Sequence, residues 1–385
     1  MTAPRIEVDL AAIEHNARTL VERLAPTGIT VTGVTKATLG SPEVARAMLR
    51  GGVTRLADSR IENLERLRRG GISVPLTLLR SPSPAQAARA VAAADSSLVS
   101  DMDVVRALAE AAQVQGRPHG IVLMVEMGDL REGFMPSELL SFARKVAALD
   151  GVTLEGVGAN LACLSGVVPG TEQMRDLSAL ASLVSNRLGL PALRVSGGNS
   201  ANLAWALARG SVGAVNDLRI GEAILLGLDP VTGLPIDGLR TEAFSVVGAV
   251  IESREKPTEP WGRVSAVAAR AAHRGDVRAT LHPGRARRVQ TIAALGQQDI
   301  DPDGLTPPAG SIVLGATSDH LVLETATVML AGTELRFGVD YAALLRAMAS
   351  PFVAVLAIDS TAAAAPSPAA LGDEWVPNTT PTSLR

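Results

Sequence analysis

Lys36 ends the apolar alternation Ile29-Thr30-Val31-Thr32-Gly33-Val34-Thr35, and Gly40 follows within four residues. A lysine at the rim of a buried strand stands where water is excluded, and there the neutral amine is favoured. Neutral lysine is a nucleophile that attacks the carbonyl of a substrate or of an aldehyde cofactor. A surface lysine that merely ends a strand is also compatible with this stretch, so the rest of the chain has to decide. The run Ser196-Gly197-Gly198-Asn199-Ser200 precedes a helix predicted to open at Ala201. Such a turn presents bare N–H groups and hydroxyls to an anion, a phosphate included, although an ordinary serine-capped turn has the same composition. Arg194 stands where a nucleophile elbow would need glycine, so Ser196 is not read as a nucleophile. Asn216-Asp217-Leu218-Arg219-Ile220-Gly221-Glu222 supplies a second strand end with a glycine and an arginine.

Short β-branched runs alternate with longer Ala/Leu/Arg/Glu-rich stretches of helical period from about residue 10 to 230. The strands are predicted at Thr30–Lys36, Arg55–Ser59, Leu76–Arg80, Ser97–Ser100, Ile121–Met127, Leu154–Leu161, Leu193–Gly197 and Asp217–Ile220. Eight such βα units argue for a closed (β/α)8 TIM-type barrel. Its chemistry would lie at the C-terminal strand ends, and the last two βα loops are where barrels bind phosphate. An open sheet with a dinucleotide loop at Gly156-Val157-Gly158 is the competing reading, and it lacks the third glycine and an immediate helix. After about residue 235 alternating apolar strands with Pro/Gly turns predict a mostly-β C-terminal domain. The expected domains are a strand at 1–9 packing on the β-domain, the barrel at 10–234, the β-domain at 235–359 and a disordered tail at 360–385.

With 47% hydrophobic and 19% charged residues the chain can bury a large core, and a net charge of -3 with 2% aromatics argues against nucleic acid. No apolar run has the length of a membrane span, and Arg5, Glu7 and Asp9 interrupt any signal segment, so a cytoplasmic location is expected. The single cysteine, Cys163, excludes an internal disulfide, and five histidines without ligand spacing predict no metal site.

Several separated motifs occur in an order that resembles the alanine racemase-like, fold-type III enzymes of pyridoxal phosphate (PLP), most closely their alanine/ornithine racemase branch. They are Ile6–Leu10, Gly33–Lys36, Ala57–Leu64, Gly128–Gly133, Ser196–Ser200, Asn216–Gly227 and Gly315–His320. The resemblance covers about residues 5 to 358 and implies a PLP-dependent amino-acid racemase, a barrel followed by a β-domain, working as a homodimer with shared active sites. It implies that Lys36 carries PLP, that Arg219 faces the pyridine nitrogen, and that Asn199, Ser200, Gly221, Glu222 and Tyr341 hold the phosphate. Arg131 matches the arginine near the substrate carboxylate.

The pattern departs from the family at one point. The tyrosine that serves as second acid/base is replaced by Ala266 when Arg263-Val264-Ser265-Ala266 is aligned with its segment. His320 or Asp319 of the partner's β-domain is the expected substitute, since a histidine titrates in the working range; Cys163 is a lesser candidate. Asp58, Glu62 and Asp319 are carboxylates able to pair with the distal ammonium of an ornithine or lysine substrate, while alanine and serine represent the small alternative. A decarboxylase or aldolase on the same fold, and a non-catalytic PLP carrier, are the competing functions.

Overall fold

The computed structural model describes residues 3–208, 210–258, 287–358 and 369–370. The first strand, β1 (Arg5–Asp9), is buried along its whole length. Its last residue turns the chain: the Asp9 carboxylate accepts from Ala11 N (2.9 Å) and Ala12 N, capping helix Leu10–Leu24.

Eight parallel strands follow and close on themselves: β2 (Thr30–Val34), β3 (Arg55–Asp58), β4 (Leu76–Leu78), β5 (Ser96–Val99), β6 (His119–Met124), β7 (Val152–Gly158), β8 (Arg194–Ser196) and β9 (Asp217–Ile220). Closure is made by β9 against β2, with Thr30 opposite Asp217 and Thr32 opposite Arg219. The TIM-type barrel is therefore present and the open-sheet reading is excluded. Ser41 caps helix Pro42–Arg50, Asp101 caps helix Met102–Gln115, and left-handed glycines at Gly116 and Gly189 end two of the longer helices.

The interior of the barrel is lopsided. On one side Leu98, Val122 and Met124 form a buried apolar cluster with Leu79 against it. Each buried side chain of this size contributes roughly 1.5–3 kcal/mol. On the other side, where β9 meets β2 and β8, Thr32, Ser196, Asp217 and Arg219 are buried and polar. That half of the barrel carries the candidate residues at the ends of β8, β9 and β2.

The second unit joins Met1–Val8 to Phe244–Ile358. Its central strand β10 (Phe244–Pro257) pairs antiparallel with β1, with β11 (Arg287–Ala293) and with a later strand, β15. After β11 come β12 (Leu305–Thr306), β13 (Ser311–Ala316), β14 (Leu321–Thr325), β15 (Glu334–Val339), helix Tyr341–Ala349 and β16 (Ala354–Ile358). Phe244, Val246, Leu323, Phe337 and Leu344 are the centre of its core. The antiparallel C-terminal sheet matches the mostly-β expectation. The expected tail falls largely outside the described residues, except that β17 (Ala369–Ala370) pairs with Leu356–Ala357. Ala266 also lies outside them.

Candidate active site

Lys36 does not extend strand β2, as the alternation predicts, but opens a 3-10 turn, Lys36–Thr38, two residues past the strand end at Val34. Thr35, Ala37 and Thr38 around it are buried, while Lys36 itself is exposed. Burial of the amine, the activation read from the alternation, is not what the structure provides. Gly40 then swings the chain away at φ +65°; a Cβ there would lie 2.7 Å from the Asn63 carbonyl oxygen, so the turn requires glycine.

Asp58, expected as a partner for a distal ammonium, instead braces the Lys36 turn. It is fully buried and accepts from Thr35 Oγ1 (2.7 Å), Asn63 Nδ2 (2.9 Å) and Arg60 N (3.0 Å). Burial pushes its carboxyl above the usual range, against the pull of those donors. Glu62 is likewise engaged, 3.1 Å from Arg89 Nη1. Of the two, only Asp58 is closed to a substrate by burial; Glu62 is exposed.

Arg219 lies two registers along β9, on the strand next to β2, and is buried. Its Nη1 donates to Ser196 Oγ (2.5 Å) and its Nη2 to the Ala159 carbonyl (2.7 Å). Burial pulls the guanidinium down to about 10, with Asp217 opposing and Arg131 and Arg194 assisting. It still carries its charge at neutral pH.

The loops after β8 and β9 are tied together by Ser200, whose Oγ accepts from Ala223 N (3.3 Å). Gly198 takes φ +148°, and a Cβ there would meet Asn202 Oδ1 at 2.0 Å. Asn199 is committed to the turn: its Oδ1 accepts from Ala201 N, and its Nδ2 donates to the Leu161 carbonyl (2.9 Å) and lies 3.5 Å from Cys163 Sγ. Gly221 crosses β2 closely enough that a Cβ would meet Val34 Cβ at 3.1 Å, and Glu222 opens the short helix Glu222–Leu226. Lys36, Arg219, Asn199, Ser200, Gly221 and Glu222 thus sit at the ends of three successive strands, β8, β9 and β2.

Arg131 stands in the loop after β6, exposed, with Nε and Nη2 both on the Glu132 carboxylate. Two other carboxylates hold this loop: Asp129, part of the Gly128–Gly133 motif, and Glu126, which the motif does not include. Glu126 accepts from Gly128 N, Leu130 N and Arg131 N. The buried Asp129 accepts from Cys163 N, Leu164 N and Ser165 N, clamping the next loop. An acidic residue within a Gly-rich loop was the available signal.

Three candidates belong to the second unit. Tyr341 opens the helix capped by Asp340. Asp319 and His320 share an exposed turn between β13 and β14, with His320 Nδ1 3.0 Å from Asp319 Oδ1. Slight desolvation works against the Asp319 carboxylate, but His320, Ser318 and Thr317 hold it below its usual range. Among the described residues no group of three or more His, Cys, Asp or Glu side chains could hold a metal ion, and no helix is long and apolar enough to cross a membrane.

A family model described as alanine racemase, N-terminal domain, matches residues 8–230. The lysine racemase of Thermotoga maritima is 38% identical over 92% of this chain and 98% of its own length. The ornithine racemase of Acetoanaerobium sticklandii is 30% identical over 91% of this chain and 98% of its own. Among solved structures, the alanine racemase of D-cycloserine-producing Streptomyces lavendulae superposes with a TM-score of 0.73 at 19% identity, covering 94% of this chain and 98% of that one, a likeness of fold. The chain belongs to the alanine racemase family and is an amino-acid racemase.

Proposed function

We propose that this racemase uses PLP held on Lys36 and acts on basic amino acids, lysine or ornithine, as a cytoplasmic homodimer. The observation that carries the cofactor assignment is the run of three neighbouring strand ends: an exposed amine just past β2, a buried arginine on β9, and the paired glycine turns after β8 and β9. The donor set fits the group. An aldehyde needs a reachable amine, a phosphate needs bare N–H groups where no Cβ intrudes, and a ring nitrogen needs a fixed donor. The end-to-end similarity to a lysine and an ornithine racemase supports the substrate class.

When bound, PLP would acidify the proton on the substrate's α-carbon. Lys36 would hold the cofactor covalently through Nζ and, once released, take or return that proton on one face. Arg219 would keep a fixed cation at the ring nitrogen. Ser200, the Asn199 turn, the Gly221–Glu222 backbone and Tyr341 would hold the phosphate. Arg131 would exchange Glu132 for the substrate carboxylate, which matches its fork of donors equally well. On the opposite face we assign the acid/base role to His320 of the partner subunit, with its carboxylate neighbour orienting the imidazole.

Borohydride reduction of the PLP-supplemented protein, followed by peptide mass analysis, should place the label on Lys36. Incubation in heavy water with L- and D-lysine, ornithine, alanine and serine should show α-proton exchange and racemisation, fastest for the basic pair. No label on Lys36 refutes the cofactor assignment. Equal rates for alanine and lysine refute the substrate class. Unchanged exchange from both enantiomers after His320→Ala and Asp319→Ala refutes the second acid/base.

A further inference from the structure

The role given to Arg219 leaves open what fixes its guanidinium. Behind it, inside the barrel, Asp217 accepts from Thr32 Oγ1 at Oδ1 (2.5 Å) and from Ser196 Oγ at Oδ2 (2.5 Å). All three residues are no more than 2% exposed. A serine hydroxyl carries a single hydrogen, and here it goes to the carboxylate. Only lone pairs of Ser196 Oγ then face Arg219, whose Nη1 lies 2.5 Å away. The second anchor, Nη2 to the Ala159 carbonyl, pins the other arm of the fork. The direction of every hydrogen bond in this chain is therefore set by the carboxylate at its end, and that carboxylate is also the counter-charge nearest in sequence. The other charged groups acting on the guanidinium are Arg131 and Arg194, which oppose its charge, and Glu132, which supports it.

We propose that Asp217, acting through Ser196, is a positioning residue that fixes the orientation of Arg219 and offsets its charge where it meets the cofactor ring. This rests on the reading of Arg219 given above. In Asp217→Asn the amide brings two donors to a place that supplies only donors, so a hydroxyl must turn and the serine's hydrogen competes with Arg219. The negative charge is lost at the same time.

The test is made on PLP-loaded wild type, Asp217→Asn, Ser196→Ala, the double variant and Thr77→Val. The last removes a buried hydroxyl pair with Ser96, which supplies none of the hydrogen bonds of Asp217 or Arg219 named above, and serves as a packing control. The visible absorbance of the loaded protein is titrated with pH, and kcat and KM are measured. Losing an anion near a cationic chromophore should lower the titration midpoint of Asp217→Asn by about one pH unit. Both single variants should lose about tenfold in kcat with KM within about twofold, and the double variant should be no worse than the poorer single one. Thr77→Val should keep the wild-type midpoint. A wild-type midpoint in Asp217→Asn, or effects that multiply in the double variant, would overturn the relay while leaving the cofactor assignment standing. Should Asp217→Asn not fold, Ser196→Ala decides alone: unchanged kcat and midpoint refute the proposal, and a loss in kcat at constant KM with a moved midpoint supports it. Wild type that takes up no PLP overturns the reading of Arg219 and this inference with it.

Discussion

Acid should loosen the barrel through His119, a residue remote from the catalytic strand ends. It begins β6, is fully buried, and shares a 2.8 Å hydrogen bond between Nε2 and Ser97 Oγ. Burial pulls the imidazole from 6.5 down to about 4, Arg117 adds to the effect, and Asp95 and the Ala94 carbonyl oppose it. In the unfolded chain the same imidazole takes its proton near its ordinary value. Between the two values the unfolded state therefore holds more protons, and stability falls as pH drops from about 6.5 towards 4. A gap of about 2.5 pH units corresponds to about 3 kcal/mol in full, of which about 2 kcal/mol is lost by pH 5. Urea unfolding at pH 7 and pH 5, compared between wild type and His119→Gln, isolates this contribution, because the carboxylates titrate alike in both. The variant should lose about 2 kcal/mol less between the two pH values. Equal losses, or a His119 ring resonance that titrates above pH 6, would refute the reasoning.

Two further outcomes follow from the loops. Asp129→Ala removes an ionised acceptor from three backbone N–H groups and should cost about 3 kcal/mol of stability in urea unfolding, with KM for the amino acid rising more than kcat falls as Arg131 shifts. Gly198→Ala would force Asn202 from its place, and should weaken PLP retention about tenfold in equilibrium dialysis while the borohydride label still reaches Lys36.

Periodicity made the barrel legible, because β-branched runs spaced by helical stretches leave few topologies that bury both faces of a parallel sheet. It also located Arg219, Gly198 and the Ser196–Ser200 turn. The environment of Lys36 was not legible. Whether a residue past a strand end is enclosed depends on the turn that follows, and the 3-10 turn Lys36–Thr38 leaves Thr35 and Thr38 buried and Lys36 exposed. Asp58 was misread for a related reason: a carboxylate before a helix reads as an open rim group, and only the fold brings Thr35 and Asn63 to its two oxygens. His119 shows the same limit, since its burial follows from Ser97 on the neighbouring strand.

The lopsided interior explains why a closed barrel suits this chemistry. A buried guanidinium is tolerated only with acceptors and a counter-charge in place, and those must come from several strands at once. β2, β7, β8 and β9 supply Thr32, the Ala159 carbonyl, Ser196 and Asp217 to one point. Leu98, Val122 and Met124 on β5 and β6 pack as a separate apolar cluster. Lys36, just past the end of the adjacent strand β2, is by contrast exposed. On the proposed cofactor assignment, the lysine that would exchange between cofactor and substrate is exposed at the rim, while the arginine is anchored through both arms of its fork.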